Sequence, residues 1–193
     1  GADFALARKG ALLAMGVGTG KSLAALAVAV EVDAKIVLVI SPLSVMGVWP
    51  REAERHCPGR YRVVLLDTGK GLQKADALKQ QLALAKARGT GLLVVINYES
   101  AWRHDISTAL LRQIWDLLIL DESHRIKAAG GKASRFCAKL TRQSKRVLGL
   151  TGTPTPHSPM DLYGQARSIA PEVYGTSFTA FRARYAVIVN TPG

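Results

Sequence analysis

The sequence is poor in acidic residues and has no long hydrophobic run. Of its 193 residues 14 are Asp or Glu and 26 are Lys or Arg, which gives a formal net charge of +12. The apolar run over residues 23–30 ends at Glu31, well short of the roughly 20 residues of a membrane span. The N-terminus lacks the layout of a secretory signal. We therefore expect an intracellular protein, cytoplasmic or nucleoid-associated, with no membrane partner.

Cysteine is also scarce. Cys57 and Cys137 stand alone, without a C-x-x-C spacing or a nearby histidine in a metal-ligand pattern. The sequence therefore predicts two free thiols in a reducing compartment, with neither a disulfide nor a zinc site.

The excess of positive charge indicates a polyanionic partner. A solvated basic surface is the plainer alternative, but a charge of +12 on one small domain favours nucleic acid. The cations form three loose groups, over residues 51–62, 125–139 and 142–146, rather than one basic tail.

Short β-branched runs alternate with longer amphipathic stretches, which is typical of βαβ units. With 48% apolar residues, the chain is expected to form one domain, a doubly wound α/β fold with a parallel sheet. The predicted strands cover residues 11–15, 36–40, 62–67, 92–96, 115–120 and 146–150, with a short one at 186–189 and a turn at 190–193. The predicted helices cover residues 21–32, 44–56, 72–88, 98–113, 132–140, 160–169 and 178–185.

A glycine-rich loop joins the first predicted strand to the first predicted helix. Its residues are Gly16, Val17, Gly18, Thr19, Gly20, Lys21 and Ser22. Glycines let backbone N–H groups surround phosphate oxygens, Lys21 can reach the β- and γ-phosphates, and Ser22 can hold Mg²⁺. Met15 replaces the first glycine of the strict G-x-x-x-x-G-K-[ST] pattern. The loop nevertheless predicts a nucleoside triphosphate site.

Two adjacent carboxylates follow the apolar strand predicted at residues 115–120. Asp121 can hold Mg²⁺ opposite Ser22, and Glu122 can position and polarise the water that attacks the γ-phosphate. The sequence offers His124 no metal-ligand partners, so we expect it to form hydrogen bonds near the γ-phosphate or the segment Thr151-Gly152-Thr153. In parallel sheets ligands bind at the carboxyl ends of strands, where all these residues should meet.

Asp121-Glu122-Ser123-His124-Arg125-Ile126-Lys127 is similar to the DEAH-R-I-K box of the Swi/Snf-like branch of superfamily 2 helicases and DNA translocases. Other segments resemble motifs of that family in the same order. Residues 41–45 with Trp49 and Glu52 are similar to motif Ia, residues 96–99 to motif Ib and residues 150–154 to motif III. The likeness runs nearly from end to end of the chain.

The resemblance implies a RecA-like P-loop NTPase lobe that uses ATP with Mg²⁺ and grips duplex DNA. Residues 1–193 would be the first, ATP-binding domain, with the second RecA-like lobe and its arginine finger absent from this chain. With Thr155-Pro156-His157-Ser158-Pro159 after motif III, the chain resembles compact bacterial or viral members more than chromatin remodellers. Nucleotide state would be coupled to DNA through His124, Thr151, Gly152 and Thr153. The implied DNA contacts are Ser41, Pro42, Leu43, Asn97, Tyr98 and Glu99.

Two other functions remain open. The chain could belong to another superfamily 2 engine, an RNA helicase or a restriction motor, although Arg125-Ile126-Lys127 argues against this. It could also act as a nucleic-acid-binding module without turnover. Arg125 and Lys127 could contact either a DNA phosphate or a neighbouring acidic group. Packing is favoured over base stacking for the three tryptophans, Trp49, Trp102 and Trp115.

Overall fold

The computed structural model describes residues 1–16, 18–156, 158, 160–175 and 177–185. Within these ranges six parallel strands form one sheet in the order β1-β6-β5-β2-β4-β3. The predicted doubly wound α/β fold is therefore confirmed. Val17 and the tail predicted as a strand and a turn, residues 186–193, lie outside the described residues. The strands are β1 (Gly10–Ala14), β2 (Ile36–Ser41), β3 (Tyr61–Leu65), β4 (Gly91–Asn97), β5 (Trp115–Asp121) and β6 (Ser144–Thr151).

Helices cover both faces of the sheet. In the described ranges, no helix is long and apolar enough to cross a membrane. The helices are α1 (Ala2–Leu6), α2 (Lys21–Glu31), α3 (Val48–His56), α4 (Gly71–Arg88), α5 (Tyr98–Ala101), α6 (His104–Arg112), α7 (Lys132–Arg142), α8 (Asp161–Ile169), α9 (Pro171–Tyr174) and α10 (Phe178–Tyr185), with 3₁₀ turns at Leu43–Val45 and Ser123–Ile126.

Alternate residues of each central strand contribute to two separate hydrophobic cores, one on each face of the sheet. Leu38 and Ile40 of β2 pack with α4 to α8, whereas Val37 and Val39 pack with α1 to α3. The period of two follows from the pleat of the strand, which points successive side chains to opposite faces. Strands β1, β2 and β3 follow one another in one direction across the sheet, and β4, β5 and β6 follow in the opposite direction. The connecting helices change from one face of the sheet to the other at this reversal, because the crossovers are right-handed.

The two cysteines lie in different cores. Cys137 is buried with α4 to α8, and Cys57 is buried with α1 to α3. The sheet separates them, so both remain free thiols.

Two predicted helices are shorter than the sequence pattern indicated. The helix predicted at residues 44–56 begins at Val48, after the separate 3₁₀ turn. Pro50 explains this start, because proline lacks an N–H and is tolerated in a first helical turn but not in the interior. The helix predicted at residues 98–113 is two helices, since Arg103 has an extended backbone between α5 and α6. The sequence reading also missed α1 and α9.

Helix α8 packs closely on the turn that follows β5. A Cβ atom on Gly164 would lie 1.8 Å from the main-chain oxygen of Lys127. Beside this contact the Ser123 hydroxyl donates to Oε1 of Gln165 at 2.8 Å, and both side chains are buried. Helix α8 therefore holds the segment that follows Asp121 and Glu122 in place.

We predict that Gly164→Ala lowers the free energy of unfolding by about 1–3 kcal/mol, because the added methyl group overlaps backbone that cannot move aside. Urea denaturation measures the change. Gly130→Ala is the matched control, since a Cβ there meets nothing within 4 Å. Equal stability of the two variants would show that α8 does not pack as tightly as this contact requires.

Candidate nucleotide site at the carboxyl edge of the sheet

The glycine-rich loop leads from β1 to the N-terminus of α2. Gly18 and Gly20 have positive φ angles of 78° and 83°, in the left-handed region that glycine adopts without strain. The Lys21 ammonium turns back into the loop and donates to the main-chain oxygens of Met15 at 3.1 Å and Gly16 at 3.0 Å. These are uncharged partners, so the positive charge of Lys21 remains available to a phosphate.

A backbone hydrogen bond joins the start of the loop to the end of β6, the neighbour of β1 in the sheet. The Met15 N–H donates to the main-chain oxygen of Thr151 at 3.0 Å, and Thr19 Oγ1 donates to the main-chain oxygen of Gly16 at 2.7 Å. Ser22, one residue after Lys21, is half-buried in the first turn of α2. The strand that carries Thr151 thus lies between the glycine-rich loop and the acidic pair.

Asp121 accepts hydrogen bonds from both faces of the sheet, at its carboxyl group and at its main-chain oxygen. The Trp49 indole of α3 donates to Oδ2 at 3.2 Å, and the Glu122 N–H donates to Oδ1 at 3.0 Å. From the opposite face the Tyr98 hydroxyl of α5 donates to the main-chain oxygen of Asp121 at 2.8 Å. Burial is the main cause that raises the pKa of Asp121, and the nearby charge of Glu122 adds to it, whereas the Trp49 hydrogen bond, the Glu122 N–H and the charge of Lys21 oppose the rise; the net pKa is about 6.

Glu122 has a left-handed backbone, with φ of 49°. Such a conformation is strained for a residue with a side chain and persists where surrounding contacts fix it. Its Oε2 lies 3.3 Å from His124 Nδ1, and the side chain is 29% exposed. The carboxylate can therefore reach solvent at the mouth of the site.

His124 joins the acidic pair to the segment after β6. Its Nδ1 lies 3.1 Å from Thr151 Oγ1 and 3.4 Å from Thr153 Oγ1, and Thr151 Oγ1 also accepts from the Thr153 N–H at 3.1 Å. The predicted contact between His124 and the Thr151-Gly152-Thr153 segment is confirmed. Among the described residues no cluster of three or more His, Cys, Asp and Glu side chains could hold a metal.

Most side chains proposed to contact DNA are buried. Ser41, Asn97 and Tyr98 are 0%, 7% and 3% exposed, and Pro42 is buried as well. These four side chains therefore offer little surface to DNA in this conformation. Leu43 is 61% exposed. The exposed Glu99 is anionic and cannot attract a phosphate.

Glu99 has two partners that explain its orientation. It accepts from Asn97 Nδ2 at 3.0 Å and pairs with Arg125 at 3.3 Å. Arg125 was predicted to contact either a DNA phosphate or a neighbouring acidic group, and in the structure it contacts the acidic group of Glu99.

Trp49 and Trp115 are 1% and 0% exposed, and half-buried Trp102 packs against the core of α4 to α8. Packing is therefore confirmed for all three tryptophans. The hydrogen bonds of Trp49 and Tyr98 to Asp121 were not predicted, because their partners lie 72 and 23 residues away in sequence.

We predict that Asp121→Asn stabilises the Mg²⁺-free protein at pH 8. The pKa of Asp121 is raised from 3.8 to about 6 in the folded state. The protonated carboxyl group therefore contributes fully to folding stability below pH 3.8, and this contribution is lost as the pH rises through 6. The shift corresponds to at most about 3 kcal/mol, and partial exposure reduces this to about 1–2 kcal/mol. Thermal melts between pH 4 and pH 8 test the sign.

Asp116→Asn is a control of opposite sign. Burial alone would raise the pKa of Asp116, but hydrogen bonds from Lys145 and from the N–H groups of Ile36 and Lys35 lower it below its usual value. Its contribution is therefore present above pH 3.8 and is lost as the pH falls. A stabilised Asp116→Asn, or a destabilised Asp121→Asn at pH 8, contradicts the electrostatics described above.

Comparison with known proteins gives consistent likenesses. The chain is 30% identical over 188 residues to the SWI/SNF-related matrix-associated actin-dependent regulator of chromatin subfamily A-like protein 1 homolog of Caenorhabditis elegans, covering 96% of this chain and 25% of that protein. It is 32% identical over 193 residues to the p41 protein of Acyrthosiphon pisum secondary endosymbiont phage 1, covering 92% of this chain and 39% of p41. The chain thus spans well under half of these relatives.

The fold also matches a solved structure, the Sulfolobus solfataricus SWI2/SNF2 ATPase core in complex with dsDNA. The TM-score is 0.73 at 25% identity, over 96% of this chain and 36% of that chain. This likeness supports a RecA-like lobe. The family model for the SNF2-related domain matches residues 5–190. The protein therefore belongs to the SNF2-related domain family.

Proposed function

We propose that the chain is the first, ATP-binding lobe of a Swi/Snf-like DNA-dependent ATPase that translocates on duplex DNA. The observation that carries this proposal is the meeting of two groups at one sheet edge. The Lys21 loop follows β1, the pair Asp121 and Glu122 follows β5, and the charge of Lys21 is close enough to lower the pKa of Asp121. Family membership and the likeness to a dsDNA-bound ATPase core support the choice of ATP and duplex DNA.

The loop would bind the triphosphate. Its backbone N–H groups and the N-terminus of α2 attract phosphate oxygens, and Lys21 exchanges its two carbonyl partners for the β- and γ-phosphates. A charge-assisted bond to phosphate is stronger than one to a neutral carbonyl, so the exchange is favourable.

The donor set fits Mg²⁺. Asp121 offers a carboxylate whose raised pKa shows that its negative charge is poorly compensated, and Ser22 offers a hydroxyl beside Lys21. One or two protein oxygens together with substrate phosphates are the usual ligands of this ion. When bound, Mg²⁺ would neutralise charge that develops on the phosphate oxygens.

Glu122 would orient the attacking water and accept its proton, because its carboxylate reaches the mouth of the site. His124 would pass changes at this carboxylate to Thr151 and Thr153, which contact the same imidazole nitrogen. Trp49 follows the first segment proposed to face DNA, Tyr98 lies within the second, and both donate a hydrogen bond to Asp121. DNA contact and the chemical step would therefore share one hydrogen-bonded group.

We predict that Lys21→Ala weakens ATP binding about 10- to 100-fold, because a charge-assisted bond to phosphate contributes about 1.5–3 kcal/mol. Isothermal titration with Mg²⁺-ATP measures the loss, and circular dichroism checks that the variant is folded. Lys139→Ala, which removes an exposed lysine on α7, is the control and should bind normally. Unchanged affinity in folded Lys21→Ala would mean that the loop is not a triphosphate site.

A further prediction concerns turnover. An arginine finger contributes about 10³–10⁵ in rate, and we propose that a second RecA-like lobe supplies it. The 193-residue chain should therefore release phosphate from ATP at a negligible rate, with or without DNA. A longer protein that includes the second lobe should hydrolyse ATP, and duplex DNA should stimulate it more than RNA does.

In that longer protein Glu122→Gln should keep nucleotide affinity and lose turnover, because an amide preserves shape but cannot accept a proton. A phosphate-release assay measures both the turnover of the 193-residue chain and that of Glu122→Gln in the longer protein. Robust DNA-stimulated hydrolysis by the 193-residue chain would contradict the need for a second lobe, and stimulation by RNA alone would favour an RNA helicase.

A further inference from the structure

A cavity lies at the same edge of the sheet, away from the nucleotide site. We call it the α4 pocket. It has a volume of about 700 Å³ and is lined by residues 69–71 at the start of α4, by Lys74, and by residues 103–105 at the start of α6. Two helix N-termini, which carry partial positive charge, therefore open into it. Strands β3 and β4 lead to this pocket, whereas β1 and β6 form the opposite side of the sheet.

Lys74 is the unusual group in the pocket. It is 6% exposed, and its ammonium donates to Ser100 Oγ at 3.0 Å. Within the described ranges no carboxylate lies within ion-pair distance of it. Burial lowers the pKa of Lys74, the more distant Asp67 raises it and Arg103 lowers it. An ammonium on a buried side chain that has a hydroxyl as partner and only a distant carboxylate is poorly compensated, and an anion in the cavity would compensate it.

The remaining charges around the cavity are mainly positive. Lys70 and Arg103 line it with exposed side chains. Asp105 is the acidic member of the lining, and its Oδ1 lies 3.3 Å from His104 Nδ1. Three cations, Lys70, Lys74 and Arg103, thus face the carboxylate of Asp105 in the lining and the more distant carboxylate of Asp67. This balance favours a small, strongly charged anion.

We propose that the α4 pocket is a second phosphate site, in which Lys74, Lys70 and Arg103 bind one phosphate group. Its distance from the nucleotide site follows from the sheet, because four strand spacings of about 4.8 Å separate β1 from β4 by about 19 Å. A γ-phosphate bound by Lys21 is therefore too far away to be the phosphate group in the α4 pocket. The phosphate comes from the backbone of bound DNA or from free phosphate, and assignment to DNA rests on the function proposed above.

Inorganic phosphate tests the pocket without DNA. In amide spectra of ¹⁵N-labelled chain, phosphate should shift the Gly69 and Gly71 signals saturably. Lys21→Ala should keep these shifts and lose those of Gly18 and Gly20, which separates the two sites. Lys74→Met should abolish the Gly69 and Gly71 shifts. Lys86→Met, in the last turn of the same helix, is the matched control and should retain them.

Duplex DNA tests the source of the phosphate. In fluorescence anisotropy Lys74→Met and Arg103→Gln should each weaken binding about 10-fold relative to Lys86→Met, and reduce the salt slope by about one. Arg103 is exposed, so Arg103→Gln decides the matter even if Lys74→Met fails to fold. The site is refuted if phosphate leaves Gly69 and Gly71 unshifted and both variants bind DNA like the control.

Two other outcomes separate the parts of the proposal. Phosphate shifts at Gly69 and Gly71 together with control-like DNA affinity would support the site and reject DNA as its source. If wild-type chain does not bind duplex DNA at all, the function proposed above fails, whereas the phosphate shifts still confirm or refute the α4 pocket.

Discussion

The site depends on one half-buried carboxyl group, that of Asp121. Parallel strands end at a common edge, and β5 delivers this residue to the middle of it. Trp49 from one face and Tyr98 from the other both donate to Asp121, so the two helical layers are joined through it. A change in either layer must therefore move the group that is proposed to hold Mg²⁺.

The unfavourable electrostatics of this carboxyl group suit a binding site. Its pKa of about 6 reflects burial that the surrounding donors do not fully offset. A bound cation would restore that balance, so binding energy is available to Mg²⁺ that a solvated aspartate would not offer. Lys74 in the α4 pocket is the counterpart of opposite sign, since it is a buried cation without an ion-pair partner in the described part of the chain.

Local segments were predicted well where their pattern is strong. All six strands were predicted to within two residues at either end, since each is a compact apolar run between polar turns. Helices whose ends depend on tertiary contacts were predicted less well. Tyr98 to Ala101 and His104 to Arg112 read as one amphipathic helix, but the chain bends at Arg103 so that Ile106 and Leu110 reach the core while Tyr98 reaches Asp121.

The sequence alone determined the parallel α/β class, the glycine-rich loop with Lys21, and the acidic pair, because each depends on residues adjacent in the chain. Only the tertiary structure decided which side chains meet. Trp49 and Asp121 are 72 residues apart. Ser41 and Asn97 were predicted to follow strands, but they are the buried last residues of β2 and β4. The α4 pocket likewise brings Lys74 and Arg103 together from two helices. Burial and long-range pairing depend on how strands are ordered across the sheet, and that order is not encoded in any single segment.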